Sequence, residues 1–546
     1  MNGNGFDPYV LSVLIFAPVI GCLVLLFVPA RQERAIRTLA IAVSLVPLLC
    51  SAYLIGAFAG AASPDVAAAR FTTVRPWIQI PGFLNIAYAL YVDGLSLPLV
   101  ALTALLTTLV LIYSSEITHR VKEYYLLFLF LEVGMLGTFL AVDFFLFYVF
   151  WEISLVPMYF IIGIWGGERR EYAAIKFFLY TLVGSVAMLL ALLWIYFSTG
   201  TRTLIFVELP QLGEMPSLAE TVPQAAAEAA RAGSILPALA WWGIFLAFAI
   251  KVPTWPFHTW LPDAHVEAPT GGSVILAGVL LKMGGYGMLR VLLPLLPMQS
   301  QQFAGVIIVL AVIGVVYGAL VAMAQWDLKK LIAYSSVNHM GYVMMGIAAL
   351  AAVSPEHAAA AGLSLDEAAR HAQTAGSGAV YVMMAHGFIT SALFFLVGII
   401  YERTHTRDLS QFGGLASKVP VYATFFRVFF FASLGLPLLA GFIGEFLAFV
   451  GTFPLFRLHT AIAALGLVIT AAFLLWTIQR VLLGPLNEKW ANLTDMDGRE
   501  WVALTPLLIL TILFGVWPGP ILNGLAPFME QLTTALRSVS STVAGL

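Results

Sequence analysis

Residues 249–269 read AIKVPTWPFHTWLPDAHVEAP, their first two residues being the last two of the apolar run WWGIFLAFAI at 241–250. A membrane helix would continue here, but Lys251 is followed by Pro253 and Pro256 and then by His258 and His265. Proline removes a backbone donor and clashes with the preceding turn, so the helix has to open. Inside a bilayer the freed carbonyls are tolerated only where they are buried in protein or face water. The stretch therefore reads as a broken membrane span with ionisable side chains at the break, and the rest of the chain is read outward from it.

The 546-residue chain is 61% hydrophobic and 10% charged, whereas soluble proteins carry about 25% charged residues. Apolar stretches near the roughly 20 residues that cross a bilayer recur along the whole length, predicting an all-α polytopic membrane protein with about fourteen transmembrane helices. The short alternating strands of a membrane barrel are not seen. The start, MNGNGFDPYV, lacks the basic region of a cleaved signal, so the first span, 8–28, reads as a retained helix.

An even number of spans puts both termini on one side. Loops on the opposite side, with Arg31, Arg34, Arg37, Arg120, Lys122, Arg169, Arg170, Lys329 and Lys330 among their charges, carry the excess of Lys and Arg. The other loops hold Arg70, Arg75, Arg202, Arg231, Arg290, Arg370, Arg457 and Arg537. This asymmetry places both termini outside, in a bacterial cytoplasmic (inner) membrane or an organelle equivalent. The net charge of −2 offers no basic surface for nucleic acid, and no GxxxxGK[ST] loop is present. Cys22 and Cys50, without CxxC spacing, cannot build an iron–sulfur or zinc site, so no metal is expected.

A second expected span is also broken. The twelfth, 422–451, contains ASLGLPLLAGFIGEFLAF, with Gly435, Pro437, Gly441 and Gly444 ahead of Glu445. The first break lies in the seventh span, 235–262. Interruptions at matching places in two halves point to a transporter's ion path. The arrangement predicts N-terminal helices in 1–123, one five-helix repeat in 124–294, a second in 302–484, and a last helix and amphipathic tail in 485–546. Each break falls fourth in its repeat, and the odd number of spans makes the repeats inverted. Two long outer loops are expected at 61–92 and 199–234, the second with a short surface helix in its Ala-rich acidic stretch. A further loop is expected at 353–375, and the tail LAPFMEQLTTALRSVSSTVAGL is expected on the membrane surface.

Four ionisable residues lie deep in apolar spans: Glu152 in FLFYVFWEISLVPMYF, Lys251, Lys282 in ILAGVLLKMGGYG and Glu445. A charge at mid-helix costs about 2.5–3.5 kcal/mol on insertion scales. Such groups face the bundle interior, pair with one another or with water, and are functional by default. Burial drives a proton off a lysine while a nearby carboxylate holds it on, so the Glu152 to Lys251 spacing can load or unload Lys251. His339 in SSVNHMGYV and His386 in MMAHGFIT can relay protons near neutral pH. Glu132 in FLFLEVGML is a further relay candidate. His258 and His265 are open between relay and helix-end packing. Lys176, Asp93, Asp143 and Arg427, near span ends, are expected to be structural.

With these residues assembled, the stretch 249–287, together with FWEISLVPMYFIIG, IKFFLYT, KKLIAYSSVNHMGYV and MMAHGFITSALFF, resembles the antiporter-like membrane subunits of respiratory complex I, the proton-translocating NADH:quinone oxidoreductase. The resemblance spans residues 93–484. It implies fourteen helices in two inverted five-helix repeats with helices 7 and 12 broken. It makes Glu152 the carboxylate that modulates the input lysine Lys251, Lys282 the central lysine, and Glu445 the terminal glutamate. His339 and His386 match polar residues of the central axis, and Glu132 matches a carboxylate facing a neighbouring subunit. Of three sister subunits, the one with glutamate rather than lysine in the twelfth helix matches Glu445.

The resemblance further implies partners among the other membrane-arm subunits, including the two sisters, and no cofactor on this chain. Flavin, iron–sulfur clusters and quinone would sit on other subunits. A multisubunit sodium/proton antiporter or membrane-bound hydrogenase shares these motifs. A non-pumping scaffold is the alternative of another class, against which four costly buried charges argue.

Overall fold

The computed structural model describes residues 5–80, 83–200, 203–209 and 216–544. Arg202, among the expected outer-loop charges, and residues 1–4 of the polar start lie outside the described residues. Among the described residues, eleven helices are long and apolar enough to cross a membrane. A twelfth is added if the helices Leu328–Ala351 and Pro355–Ala361, bent by 109° against each other, count as one span.

In chain order the first helices are α1 (Val10–Phe27), α2 (Glu33–Ala59) and the short α3 (Pro64–Phe71). Strands β1 (Thr73–Ile80) and β2 (Leu84–Leu90) pair antiparallel, with a register shift between Pro76 and Ile78. This hairpin was not expected in the 61–92 loop. Its sequence signal is the alternation in TVRPWIQI and LNIAYAL, which suits a pleated strand. Then come α4 (Ser96–Tyr113), α5 (Val121–Leu140), α6 (Phe144–Trp165) and α7 (Arg170–Thr199). The surface helix expected in 199–234 is α8 (Leu218–Arg231), started by a capping box in which Ser217 and Glu220 satisfy each other's backbone N–H groups.

The seventh expected span is two helices, α9 (Leu236–Lys251) and α10 (Trp260–Glu267). The prolines act as expected, and local donors take up carbonyls freed at the break. Trp260 Nε1 donates to Ile250 O at 2.9 Å, and Thr254 N donates to Ala249 O at 2.9 Å. α11 (Thr270–Leu295) follows, with π-helical turns at Leu276–Leu280 and Met288–Leu292 on either side of Lys282.

The second half holds α12 (Pro297–Met323), α13 (Leu328–Ala351), α14 (Pro355–Ala361) and α15 (Leu365–Thr404). The bend between α13 and α14 has a local cause: Ser354 caps the new helix by accepting from His357 N at 3.2 Å, and Pro355 opens it. α15 runs for 40 residues, so much of the loop expected at 353–375 is helix. The capping box Ser364–Glu367 is the signal that fixes its start. The twelfth expected span is likewise divided, into α16 (Pro420–Ser433) and α17 (Ala440–Thr452). Gly435 at φ 79° and Leu438 at φ 75° lie between them in the left-handed region.

α18 (Arg457–Leu482), α19 (Gly498–Val516) and α20 (Gly519–Ala544) complete the chain. α20 corrects the expectation for the tail. Leu525, Met529, Leu532 and Leu536 of its apolar stripe are buried against protein rather than lying on a membrane surface. Gln301 Nε2 donates to Leu536 O at 2.9 Å and Gln373 Nε2 to Thr533 Oγ1 at 2.7 Å, which fastens α20 to α12 and α15. Gly94 makes the crossing possible, because a Cβ there would lie 1.7 Å from Gly524 O.

Burial sorts the helices into centre and rim. The most apolar windows of α11 and α15 are 100% buried, whereas those of α2 and α19 are 33% buried. The two central helices carry Lys282 and His386.

Candidate functional site

Lys251 is the last residue of α9, directly before the break. Its Nζ lies 5.2 Å from the centroid of the Trp151 ring and 5.7 Å from that of Phe177, and the residue is only 1% exposed. Ring faces hold an ammonium by their quadrupoles. Neither Lys251 Nζ nor Glu152 Oε1 has a hydrogen-bond partner among the described residues, although Glu152 is the charged side chain whose field acts on Lys251. Among the described residues no ion pair closes between this carboxylate and the amine.

α9 reaches α11 beside this lysine because of Gly284, two residues on from Lys282. A Cβ at Gly284 would stand 2.6 Å from Phe248 O and 3.0 Å from Lys251 Cβ. The helices therefore pack almost backbone to backbone between the two lysines.

Lys282 is fully buried at 0% exposure. Its Nζ donates to Ala277 O, within the π turn, and to His386 Nδ1 at 2.7 Å. The His386 and His339 rings have centroids 5.6 Å apart. His339 Nδ1 faces Ser335 O at 2.7 Å and its Nε2 faces Ser433 O at 2.9 Å. A neutral ring satisfies one of these carbonyls with its single N–H, and an imidazolium satisfies both. Glu445 Oε1 lies 3.6 Å from His339 Nε2. The second break supplies this neighbourhood: Ser433 ends α16, and a Cβ on Gly435 would come within 2.6 Å of Glu445 Oε2.

His339, His386, Thr390, Ser433 and Glu445 line a cavity of ≈ 10 Å³, about the volume that one water needs. Lys282, His386, His339 and Glu445 thus follow one another as a buried polar line from α11 through α15 and α13 to α17, with no direct hydrogen bond between the two imidazoles among the described residues. Proton transfer suits it, since every member can bind and release a proton.

The other expected residues fall elsewhere. Glu132 on α5 is fully buried with both carboxylate oxygens unpartnered among the described residues. The His258 ring packs edge-on to Tyr317, centroids 5.3 Å apart. His265 stacks on Phe394 at 4.5 Å with an interplanar angle of 4°. Asp143 caps α6, accepting from Phe145 N at 3.0 Å, and Lys176 pairs with Asp263 at 2.7 Å.

Two charges assigned to loops from sequence are buried instead. Arg290 lies inside α11, 4% exposed, and pairs with Asp93 at 2.5 Å while the Phe528 ring of α20 covers it at 4.6 Å. Its signal was the stripe Lys282, Tyr286, Arg290 at helical spacing. Lys329 is buried in the first turn of α13, where its Nζ donates to Ala268 O at 2.5 Å.

Residues 141–365 and 358–473 match a protein family described as NADH:quinone oxidoreductase/Mrp antiporter, transmembrane. The chain belongs to that family. The matched region takes in Glu152, Lys251, Lys282, His339, His386 and Glu445, and leaves Glu132 outside. Among similar family members, NADH-quinone oxidoreductase subunit M of Rickettsia felis is 42% identical over 531 residues, covering 96% of this chain and 98% of that protein. The subunit M of Rhodobacter capsulatus is 40% identical over 552 residues, 98% of each chain. In the solved structure of respiratory complex I from Thermus thermophilus with bound NADH, one chain superposes with a TM-score of 0.79 at 30% identity, covering 96% of this chain and 99% of that one.

Proposed function

We propose that this chain is the M-type, antiporter-like subunit in the membrane arm of a proton-translocating NADH:quinone oxidoreductase, and that protons cross it along Lys251, Lys282, His386, His339 and Glu445. The observation that carries the path is the pairing of Lys282 Nζ with His386 Nδ1 at 2.7 Å, continued by His339 Nε2 at 3.6 Å from Glu445. Lys282 gives a proton to His386 Nδ1, the ring releases the proton on Nε2 toward His339, and His339 passes one on to Glu445. Glu152 sets the state of Lys251 by its distance: approach holds the proton on the amine, and withdrawal frees it to move toward Lys282. The open Glu152–Lys251 relation supports this, because a closed ion pair would have to be broken first.

The divided segments α9–α10 and α16–α17 each count as one crossing, giving fourteen, arranged as inverted repeats over 124–294 and 302–484. The partners are the other membrane-arm subunits, the two sister antiporter-like subunits among them, and the surrounding lipid. Redox chemistry takes place on other chains, and this one carries no flavin, iron–sulfur cluster or quinone. The loop charges favour a bacterial cytoplasmic membrane with both termini outside.

A sodium/proton antiporter shares the family, but Lys251 and Lys282 repel a metal cation along the path, and Glu445 and the subunit M relatives favour the oxidoreductase. The test is proton pumping by the whole complex in sealed vesicles with Glu445→Gln, which keeps the side chain's size and removes its proton site. Pumping and NADH oxidation are expected to fall together in a fully assembled complex. Retention of both at the parent level rejects the path.

A further inference from the structure

Among the buried titratable groups that the path from Lys251 leaves unused, Lys329 and His265 lie on adjoining segments of the fold. Lys329 is 6% exposed, and among the described residues its Nζ enters no ion pair; it donates only to neutral carbonyl oxygens, Ala268 O at 2.5 Å and Val266 O at 3.5 Å. These carbonyls belong to the end of α10, directly after His265. His265 is 0% exposed, and neither ring nitrogen has a hydrogen-bond partner among the described residues. The ring is fixed from both sides of its backbone and face: Ser273 Oγ donates to His265 O at 3.0 Å, and Phe394 lies parallel to it. Phe394 is two turns along α15 from His386, the partner of Lys282.

A buried imidazole with two free nitrogens is expensive unless something uses them. Lys329 and Lys282 are the two charged side chains whose fields reach this ring. On the other side of Lys329 the protein surface is near: Arg407 pairs with Asp327 at 3.2 Å, with side chains 23% and 31% exposed, and Arg407 also donates to Val266 O.

We propose that Lys329 and His265 form a second proton access to Lys282, running from the membrane face where α10 ends and α13 begins and bypassing Lys251. Lys329 gives a proton to one ring nitrogen of His265. The ring releases the proton held on its other nitrogen to the neutral Lys282 amine, and Lys329 is reloaded from the surface beside Asp327. Each transfer leaves donor and acceptor one proton apart from their starting states, and no other reactant is required. The inference rests on the reading of Lys282 as a member of the proton path.

Lys329 also caps the carbonyls that end α10, and a cap is a structural role that arginine can fill. An arginine cannot relay, since its guanidinium does not give up its proton in proteins. The experiment measures proton pumping and NADH oxidation by the whole complex in sealed vesicles, with the amount of assembled complex determined alongside, for Lys329→Arg, Lys329→Gln, His265→Phe and Lys282→Ala. His265→Phe keeps the stack on Phe394 and removes the proton sites. The expected result is at least an about fivefold loss of pumping per assembled complex in Lys329→Arg, Lys329→Gln and His265→Phe, a floor set below the roughly 10²–10⁴-fold by which positioned proton donors act because the access through Lys251 stays open. Parent-level pumping in Lys329→Arg shows a cap and overturns the proposal, as does parent-level pumping in His265→Phe. Lys282→Ala separates the two claims: if it abolishes pumping while the other three do not, only the second access fails, and if it leaves pumping unchanged, the path through Lys282 fails with it.

Discussion

Lys282 Nζ donates to His386 Nδ1 across 2.7 Å of buried space between α11 and α15, whose most apolar windows are both wholly buried. Because the nitrogen that accepts is a ring nitrogen and not a carbonyl oxygen, the bond can carry a proton as well as hold one. Residues that act as a unit are non-additive. Lys282→Ala and His386→Ala are each expected to lower pumping by at least about tenfold, as removal of a positioned proton donor or acceptor does. The double variant should lose little more than either single one. Losses that multiply in the double variant would show that the two residues act independently.

Gly435 stands at φ 79° with Glu445 Oε2 2.6 Å from the place of its missing Cβ. Gly435→Ala brings a left-handed conformation that costs an L-residue roughly 1–2 kcal/mol, and it pushes the carboxylate away from His339. Pumping is expected to fall more than complex content does, measured on the same vesicles. Equal losses in both would mean that Gly435 serves folding alone.

Asp93 and Arg290 form a buried pair at 2.5 Å, and Asp93 also accepts from Ser96 N at 3.1 Å at the start of α4. Arg290→Met leaves the Asp93 charge unpaired and is expected to cost about 3–5 kcal/mol. Adding Asp93→Asn, which removes that charge and keeps an acceptor for Ser96, should recover much of it. Thermal inactivation of the detergent-solubilised complex reads both variants. A double variant no better than the single would place the cost in lost packing against Phe528.

How far these features could be read from the sequence depended on how local their causes were. The break after Lys251 was legible because Pro253 and Pro256 act on the turn immediately before them, and the break before Glu445 was legible from Gly435 and Pro437 for the same reason. The contact between Lys282 and His386 joins residues 104 apart on different helices, and nothing local to either helix says which residue of the other it meets. Arg290 was misassigned because counting charges by loop supposes that arginines end in loops. Its partner Asp93 is 197 residues away, and only the fold brings the two together. The hairpin β1–β2 escaped because its period-two alternation is short beside the surrounding helical runs.

α20 is a different case. Its amphipathic pattern was evident, but such a pattern does not say whether lipid or protein covers the apolar face. Gly94 decides the matter in the fold, since Gly94→Ala would set a Cβ 1.7 Å from Gly524 O. That substitution should loosen α20 at a cost of about 1–3 kcal/mol, the usual penalty for overpacking. Limited proteolysis after α19 should then proceed faster than in the parent. Unchanged protection of α20 would mean that its remaining contacts suffice.

The central claim is that Lys251 loads protons into the buried line, and the most direct measurement is proton pumping together with NADH oxidation in sealed vesicles holding the whole complex with Lys251→Ala, with Lys251→Arg as the charge-retaining control. Lys251→Ala is expected to cut both activities by at least about tenfold in a fully assembled complex, and Lys251→Arg, which keeps the charge over Trp151 but cannot release a proton, is expected to restore neither fully. Parent-level pumping and oxidation in Lys251→Ala would contradict the claim that Lys251 loads the line.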